Sequence, residues 1–233
     1  MPTNYFRPIA LALATIGLLA SGQLAAAGNI SFTNQSIEIK GTGLGNVLDI
    51  LFVHANDSEY GSVLWNGASD VETDDAIKQS QTRTIGELTK VGINNSSQIG
   101  LILNIAEAGN QPTINVLDFS MRFTDSKGVA LFPDIDYSAP VGGLVLAQVG
   151  AGVGGSGWVF KVNLTPAEEA LAFGNADNRI GMYITEANAF TLTSGAPDGF
   201  FIAPIPEPMS WVLAAIGGVG LLVWRRAHPP RRR

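Results

Sequence analysis

Two uncharged apolar runs, one near each end of the chain, place the strongest limit on what it can fold into. The first is Ile9–Ala20 and the second is Met209–Trp224. Uncharged apolar runs of this kind are typical of targeting or membrane segments, because an element at the surface of a soluble domain needs a polar face. Of the 233 residues, 28–204 remain for one domain of ordinary size with its own core.

Residues 1–27 have the composition of a secretory signal peptide. Arg7 lies close to the terminal amine, the apolar run follows, and the segment ends in small residues. Ala25 and Ala27 would occupy the small-residue pockets of the signal peptidase, which makes Gly28 the first residue of the mature chain. The apolar run is shorter than the roughly 20 residues of a membrane span. Export through the Sec translocon is therefore predicted rather than a retained N-terminal anchor.

Residues 205–233 contain the second apolar run and a basic tail. As a helix, the uncharged run covers about 24 Å of a hydrocarbon core of about 30 Å. Arg225 and Arg226 can bridge part of the difference by snorkelling. Five arginines in 225–233 predict that this end stays in the cytoplasm and that the preceding domain lies outside it. Both ends of the chain therefore predict the same topology across the inner membrane.

Pro206, Glu207 and Pro208 stand directly before this run. Two prolines prevent a regular helix and favour an extended segment. Pro-Glu-Pro, a short apolar helix and an arginine cluster, in this order, resemble the PEP-CTERM sorting signal of Gram-negative bacteria. The resemblance implies that exosortase, a membrane enzyme of species that make extracellular polysaccharide, recognises Pro206–Pro208 and that Arg225–Arg226 act as the retention signal. The alternative is an ordinary single-pass anchor with a proline linker.

The middle of the chain has short apolar runs separated by Gly, Asn, Asp, Ser and Pro. In Thr113–Phe123, residues Leu117, Phe119, Met121 and Phe123 fall on one face, which is the period of a half-buried strand. The predicted strands are Ile37–Lys40, Val47–His54, Ser62–Trp65, Ile99–Ile105, Thr113–Phe123, Leu144–Val149, Trp158–Asn163, Arg179–Thr185 and Phe200–Ala203. This pattern predicts an all-β fold, an antiparallel β-sandwich with one or two short helices.

One helix is predicted after Thr165, where Thr165 and Glu168 have the spacing of a capping box and Pro166 takes the first helical position. Ala167, Ala170 and Leu171 are predicted to share one apolar face of this helix, and Gly174 is predicted to end it. A shorter helix is predicted around Thr84–Lys90. The strands, the single capped helix before a late strand and the extracellular destination are similar to those of cohesin-like sandwich modules.

Composition excludes several kinds of chemistry. The chain has no cysteine and only two histidines, His54 and His228, so thiolate sites and a zinc site built from histidines are excluded. A formal net charge of −6 argues against nucleic acid as a partner, since phosphate binding needs a basic surface. Glu168 and Glu169 are adjacent on a helix and point about 100° apart, unlike the facing carboxyls of glycosidases. The protein is predicted not to be an enzyme.

Two questions remain open at the sequence level. A calcium ion could bind either of two acidic groups, although such groups are commonly just solvated. The first group contains Asp70, Glu72, Asp74 and Asp75, and the second contains Asp134 and Asp136. Trp65 and Trp158 could stack on sugars or belong to the core.

The predicted function is that of a non-catalytic, exported protein of the cell surface or extracellular matrix, processed by exosortase and associated with extracellular polysaccharide or biofilm. The alternative is a carbohydrate- or protein-binding module that the C-terminal helix anchors permanently.

Overall fold

The computed structural model describes residues 27–38, 47–107, 113–150, 156–194 and 196–205. The strands are β1 (Asn29–Glu38), β2 (Leu48–Val53), β3 (Asn56–Glu59), β4 (Gly61–Trp65), β5 (Asp70–Asp74), β6 (Arg83–Thr84), β7 (Ile99–Asn104), β8 (Thr113–Val116), β9 (Phe119–Thr124), β10 (Ile135–Tyr137), β11 (Leu144–Ala147), β12 (Ser156–Asn163), β13 (Arg179–Ile184), β14 (Phe190–Ser194) and β15 (Asp198–Pro204). The helices are α1 (Ile85–Lys90) and α2 (Pro166–Phe173), with 3-10 turns at Ser96–Gln98 and Glu186–Asn188.

The strands form two sheets. The larger sheet has the order β2-β15-β7-β12-β1-β10-β9-β13-β4-β5, with β6 also paired to β13, and the smaller has the order β11-β8-β14-β3. The fold is therefore all-β and sandwich-like, as predicted. The prediction of purely antiparallel pairing is wrong at one place, where β1 and β10 pair in parallel. A parallel pair needs a long connection, and most of the first half of the domain lies between these two strands.

Aromatic side chains join the two sheets. The Phe119 ring centroid lies 5.2 Å from that of Phe160 and 4.9 Å from that of Phe200, all in the large sheet. It also lies 6.3 Å from the ring of Phe190 in the small sheet. All four side chains are almost fully buried. Edge-to-face and tilted contacts of this kind hold the sheets together as two layers over one core.

The predicted strand Thr113–Phe123 is two strands in different sheets. β8 belongs to the small sheet and β9 to the large one. The alternation continues in each, but its phase changes: Ile114 and Val116 are buried in β8, and Phe119 and Met121 in β9. The chain crosses between the layers at this change of phase, so Leu117 is only half-buried and not part of the predicted face.

The sequence pattern did not predict five of the described strands: β3, β5, β6, β10 and β14. Most are short, and β3 and β5 are rich in polar residues. The acidic segment around Asp70–Asp74 was expected to be a solvated loop, but it forms β5, an exposed strand at one edge of the large sheet. Charged side chains on an edge strand discourage pairing with another chain, which gives these acids a structural role.

Both predicted helices are confirmed, each with a complete capping box at its N-terminus. The apolar face shared by Ala167, Ala170 and Leu171 is exposed to solvent. Leu171 is 51% exposed, whereas Glu168 and Ala172 are buried. The reason is that Glu168 turns inward to accept hydrogen bonds, which rotates the small apolar residues toward solvent.

Among the described residues, no helix combines the length and apolar character needed to cross a membrane. Several predicted features lie outside the described residues: Ala25 and the rest of the signal peptide before Ala27, the motif Pro206, Glu207 and Pro208, the span 209–224, and Arg225 and Arg226 with the basic tail.

Candidate functional site

A groove opens on the outer face of the large sheet, across β9, β13, β4 and β5. Its cavity has a volume of about 230 Å³ and is open to solvent. The strand register brings Tyr183 opposite both Ser62 and Ser120, and Ser62 opposite Thr73. The groove is lined by Ser62, Leu64, Thr73, Asp74, Arg122, Tyr183, Ile184 and Thr185.

One wall of the groove is formed by the Arg122–Asp134 ion pair together with the Tyr183 hydroxyl, which is hydrogen-bonded to Asp134. Arg122 donates from Nε and Nη2 to the two carboxylate oxygens of Asp134, at 2.8 and 2.7 Å, and the Tyr183 hydroxyl donates to Asp134 Oδ2 at 2.7 Å. Burial favours a higher pKa for Asp134, but these hydrogen bonds and the charge of Arg122 outweigh it and hold the pKa below its usual value. The wall is therefore a fixed, charged hydrogen-bonding surface.

The two strands β13 and β4, which carry part of the groove, approach each other closely at Gly181. A Cβ at Gly181 would approach the Val63 carbonyl oxygen to 2.5 Å and Leu64 Cδ2 to 3.0 Å. Within the groove, the hydroxyls of Ser62 and Thr73 are 2.9 Å apart. The groove thus presents hydroxyls, a guanidinium, a carboxylate and one aromatic ring beside the aliphatic side chains of Leu64 and Ile184. It is smaller than the roughly 300–1,000 Å³ of a pocket for a drug-sized ligand.

A second unusual site lies inside the domain, where two acids meet. Glu59 ends β3 in the small sheet and Asp198 begins β15 in the large sheet, and they are 0% and 1% exposed. Each accepts one backbone hydrogen bond: Glu59 Oε1 from the Ala55 N–H at 3.1 Å, and Asp198 Oδ1 from the Ala106 N–H at 2.8 Å. Asp198 lies close enough to Glu59 for its charge to raise the pKa of Glu59.

The other oxygen of each acid in this pair lacks a hydrogen-bond donor. Glu59 Oε2 and Asp198 Oδ2 are buried, and no N–H or O–H group of the described residues donates to them. Burial first, and then the charge of Asp198, raises the pKa of Glu59 to about 9. Burial also raises the pKa of Asp198 to about 7, with a further contribution from Glu107. Both shifts favour the protonated form, because burial and the neighbouring carboxyls penalise the negative charge.

A third buried acid, Glu168, is placed very differently. Its Oε2 accepts from the N–H of Thr165 at 2.8 Å and from the Thr165 hydroxyl at 2.9 Å. The N–H of Gly28 reaches both of its oxygens, at 3.1 and 3.3 Å. The capping box predicted the contact with Thr165, but no local pattern predicted that the start of the domain would lie against this carboxyl.

The two tryptophans considered at the sequence level do not line the groove. Trp158 is half-buried: its Nε1 donates to the Ala147 carbonyl oxygen at 2.7 Å and its ring lies 5.8 Å from that of Phe32. Trp65 carries the guanidinium of Arg179 at 3.8 Å from its ring centre, and its Nε1 donates to the Ser126 carbonyl oxygen at 2.9 Å. Both rings are therefore engaged in local packing.

Of the six acids considered for calcium, four accept hydrogen bonds within the protein. Asp70 accepts from Thr82, Asp75 accepts from the Tyr60 N–H, and Asp136 accepts from the Ser120 hydroxyl. Asp134 is paired with Arg122 as described above. Within the described parts of the chain, no group of three or more His, Asp and Glu side chains is arranged to hold a metal ion.

Two further ionisable residues named in the sequence analysis, His54 and Glu169, lie outside the groove and make structural contacts. His54 is exposed, and its backbone N–H donates to the Asp75 carbonyl oxygen at 3.0 Å. Glu169 accepts hydrogen bonds from the backbone N–H and the hydroxyl of Ser96, which ties α2 to the turn before β7. Neither residue lines the groove.

The chain matches no model of a known protein family, and comparisons with curated proteins and with solved structures found no similar protein.

Proposed function

We propose that this is an exported, non-catalytic protein of the cell surface or extracellular matrix, delivered by Sec and processed by exosortase at its C-terminal signal. It is held in the inner membrane only until that processing takes place. The order of Pro206–Pro208, the apolar run and the arginine cluster carries this proposal. The signal peptide predicts the same topology independently.

The positions of the first and last strands support this proposal. β1 begins at Asn29, just after the predicted cleavage between Ala27 and Gly28, and β15 ends at Pro204, just before the sorting motif. Both strands have neighbours on both sides in the large sheet. Processing at either point therefore leaves every described strand in place, as expected for segments that serve delivery.

The test is to express the protein with and without exosortase and to measure the mass of the mature form. We expect a shortened product only when the enzyme is present. Replacement of Pro206, Glu207 and Pro208 by alanine should block this shortening and leave the thermal unfolding of the domain unchanged. Surface material that retains Arg231–Arg233 in the presence of exosortase would contradict the proposal.

The groove favours a second candidate, a polysaccharide-binding module with a permanent anchor. Its hydroxyls, its Arg122–Asp134 pair and the Tyr183 ring are groups that recognise polyhydroxylated ligands. Co-sedimentation with the organism's own polysaccharide would measure binding. Arg122→Ala should weaken it, whereas Arg179→Ala, on the same sheet but outside the lining, should not. Equal retention of both variants and the wild type would argue against this candidate.

A further inference from the structure

We propose that the amine created at Gly28 by removal of the signal peptide docks on the buried carboxylate of Glu168. This inference rests on the predicted cleavage between Ala27 and Gly28, and it assigns to the cut end a binding site within the domain. Glu168 then acts as the receptor of the mature amino terminus.

The contact already exists in the described chain. Gly28 N lies 3.1 Å from Glu168 Oε2 and 3.3 Å from Oε1, across a separation of 140 residues. Glu168 is only 9% exposed, and Ala27, the last residue of the signal peptide, is exposed. The bond to be cut therefore lies where the chain leaves the surface, and the nitrogen that remains lies against a buried carboxyl.

The packing around Gly28 fixes this nitrogen in place. A Cβ at Gly28 would lie 2.7 Å from the Asn163 carbonyl oxygen, 2.7 Å from Glu168 Oε2 and 2.9 Å from Ile135 Cδ1. These three groups come from β12, α2 and β10. No larger residue fits without displacing them, so the position holds a glycine whose backbone nitrogen touches the carboxyl.

Cleavage changes what this nitrogen can donate. Water hydrolyses the Ala27–Gly28 amide: the carboxylate leaves with Ala27, and the amine on Gly28 takes up a proton at neutral pH, since α-amino groups have a pKa of about 7.7–8.0. In the uncut chain a single N–H is shared between two carboxylate oxygens. The ammonium has three hydrogens and a positive charge, so a hydrogen bond with charge only on its acceptor becomes an ion pair with charge on both partners.

Glu168 supplies the negative charge that faces the ammonium created at Gly28. Gly28 lies at the N-terminal end of α2, where the helix dipole repels a cation. The carboxylate of Glu168, at the third position of α2, offsets this repulsion while it caps the helix through Thr165. One carboxylate therefore stabilises two elements together: the start of β1, which lies between β12 and β10 in the large sheet, and the start of α2.

The experiment compares two mature full-length chains in detergent, one that begins at Gly28 and one that retains Ala27. Each is released from a tag by a protease that leaves the required first residue. At pH 7 we expect the Gly28 chain to melt roughly 3–8 °C higher. In Glu168→Gln this difference should disappear, whereas the matched control Glu169→Gln, in the same helical turn, should preserve it. The difference should also vanish at about pH 10, where the amine is neutral.

Equal melting temperatures for the two wild-type chains at pH 7 would overturn the inference. So would a difference that survives in Glu168→Gln, because the extra residue would then act by crowding alone. Both chains are made directly, so the result does not depend on export. Sequencing of the exported protein's amino terminus tests the cleavage site separately, and a different first residue would overturn the cleavage prediction while leaving the contact measured here intact.

Discussion

Glu168 and the Glu59–Asp198 pair are both buried acidic sites, but they differ in the donors that the fold brings to them. Glu168 receives three donor groups, the N–H of Gly28 and the N–H and hydroxyl of Thr165. Glu59 and Asp198 receive one backbone N–H each and face another carboxyl. Both sites tie together segments that are distant in the chain.

The comparison shows that the donors around a buried acid, and not its burial alone, decide what it can bind. Glu168 already accepts hydrogen bonds from N–H and O–H groups and can accept from a stronger donor such as an ammonium. Glu59 and Asp198 have few donors and lie near other carboxyls, so the pKa of each is raised.

The largest expected effect is a loss of stability at alkaline pH that comes from the Glu59–Asp198 pair. The pKa values of both acids are raised in the folded chain, to about 9 and about 7, so the folded state holds more protons than the unfolded one above pH 4. The free energy of unfolding should therefore fall as pH rises from about 4 to about 9. Thermal unfolding should show a melting temperature roughly 10 °C lower at pH 9 than at pH 6.

Calcium provides the control for this prediction. Protonation of Glu59 and Asp198 needs no cation, so the pH dependence should be the same in EGTA and in excess calcium. A calcium-dependent rise in melting temperature that removes the alkaline loss would show that a cation, not a proton, satisfies the pair.

The next largest effect is expected from Glu59→Gln. The glutamine amide donates a hydrogen to Asp198 permanently, so the variant keeps the link between the sheets without needing a proton. Most of the alkaline loss should disappear, and above pH 8 the variant should melt at a higher temperature than the wild type. Glu72→Gln, which changes an exposed acid on β5, is the matched control and should retain the wild-type profile. If the pH dependence of the melting temperature were unchanged in Glu59→Gln, groups other than Glu59 would cause the loss of stability at alkaline pH.

The contrast between these sites also shows what the sequence could predict. The alternation in β9 and the capping box of α2 are local patterns, and both were predicted correctly. β3 reads Asn-Asp-Ser-Glu, which gives no sign of burial, and Glu59 enters the interior only because β3 pairs with the late strand β14. The contact between Gly28 and Glu168 likewise depends on strand order. The groove arises in the same way, from register across four strands.

A smaller effect separates Glu168 from its local counterpart in the other capping box. Glu87 accepts from Thr84 in α1 as Glu168 does from Thr165 in α2. Glu87 also pairs with Arg83 at 3.4 Å, but a partly exposed ion pair contributes about 1 kcal/mol or less, whereas Glu168 holds Gly28 in a buried position. Loss of a cap costs about 1 kcal/mol, and loss of a hydrogen bond to a charged group costs about 1.5–3 kcal/mol. Glu168→Ala should therefore destabilise the mature chain more than Glu87→Ala, by at least about 1 kcal/mol in urea unfolding. Equal losses would show that the contact with Gly28 contributes nothing beyond the cap.

The smallest effect is expected at Asp134. Asp134 accepts several hydrogen bonds, as Glu168 does, but it lies at the surface. Tyr183→Phe removes one hydrogen bond to it and leaves both bonds from Arg122. Because Asp134 remains paired and part of its side chain meets solvent, the loss should be about 0.5–1 kcal/mol, or 2–4 °C or less in melting temperature. The hydrogen bond from Tyr183 helps to lower the pKa of Asp134, so this contribution is present above pH 4 and is lost as pH falls. The melting temperatures of the wild type and the variant should therefore converge below about pH 3. This pH dependence is opposite in sign to the loss of stability at alkaline pH that is predicted for Glu59. A difference that persists in acid would mean that the Tyr183 ring stabilises the sheet by packing rather than through the Asp134 carboxylate.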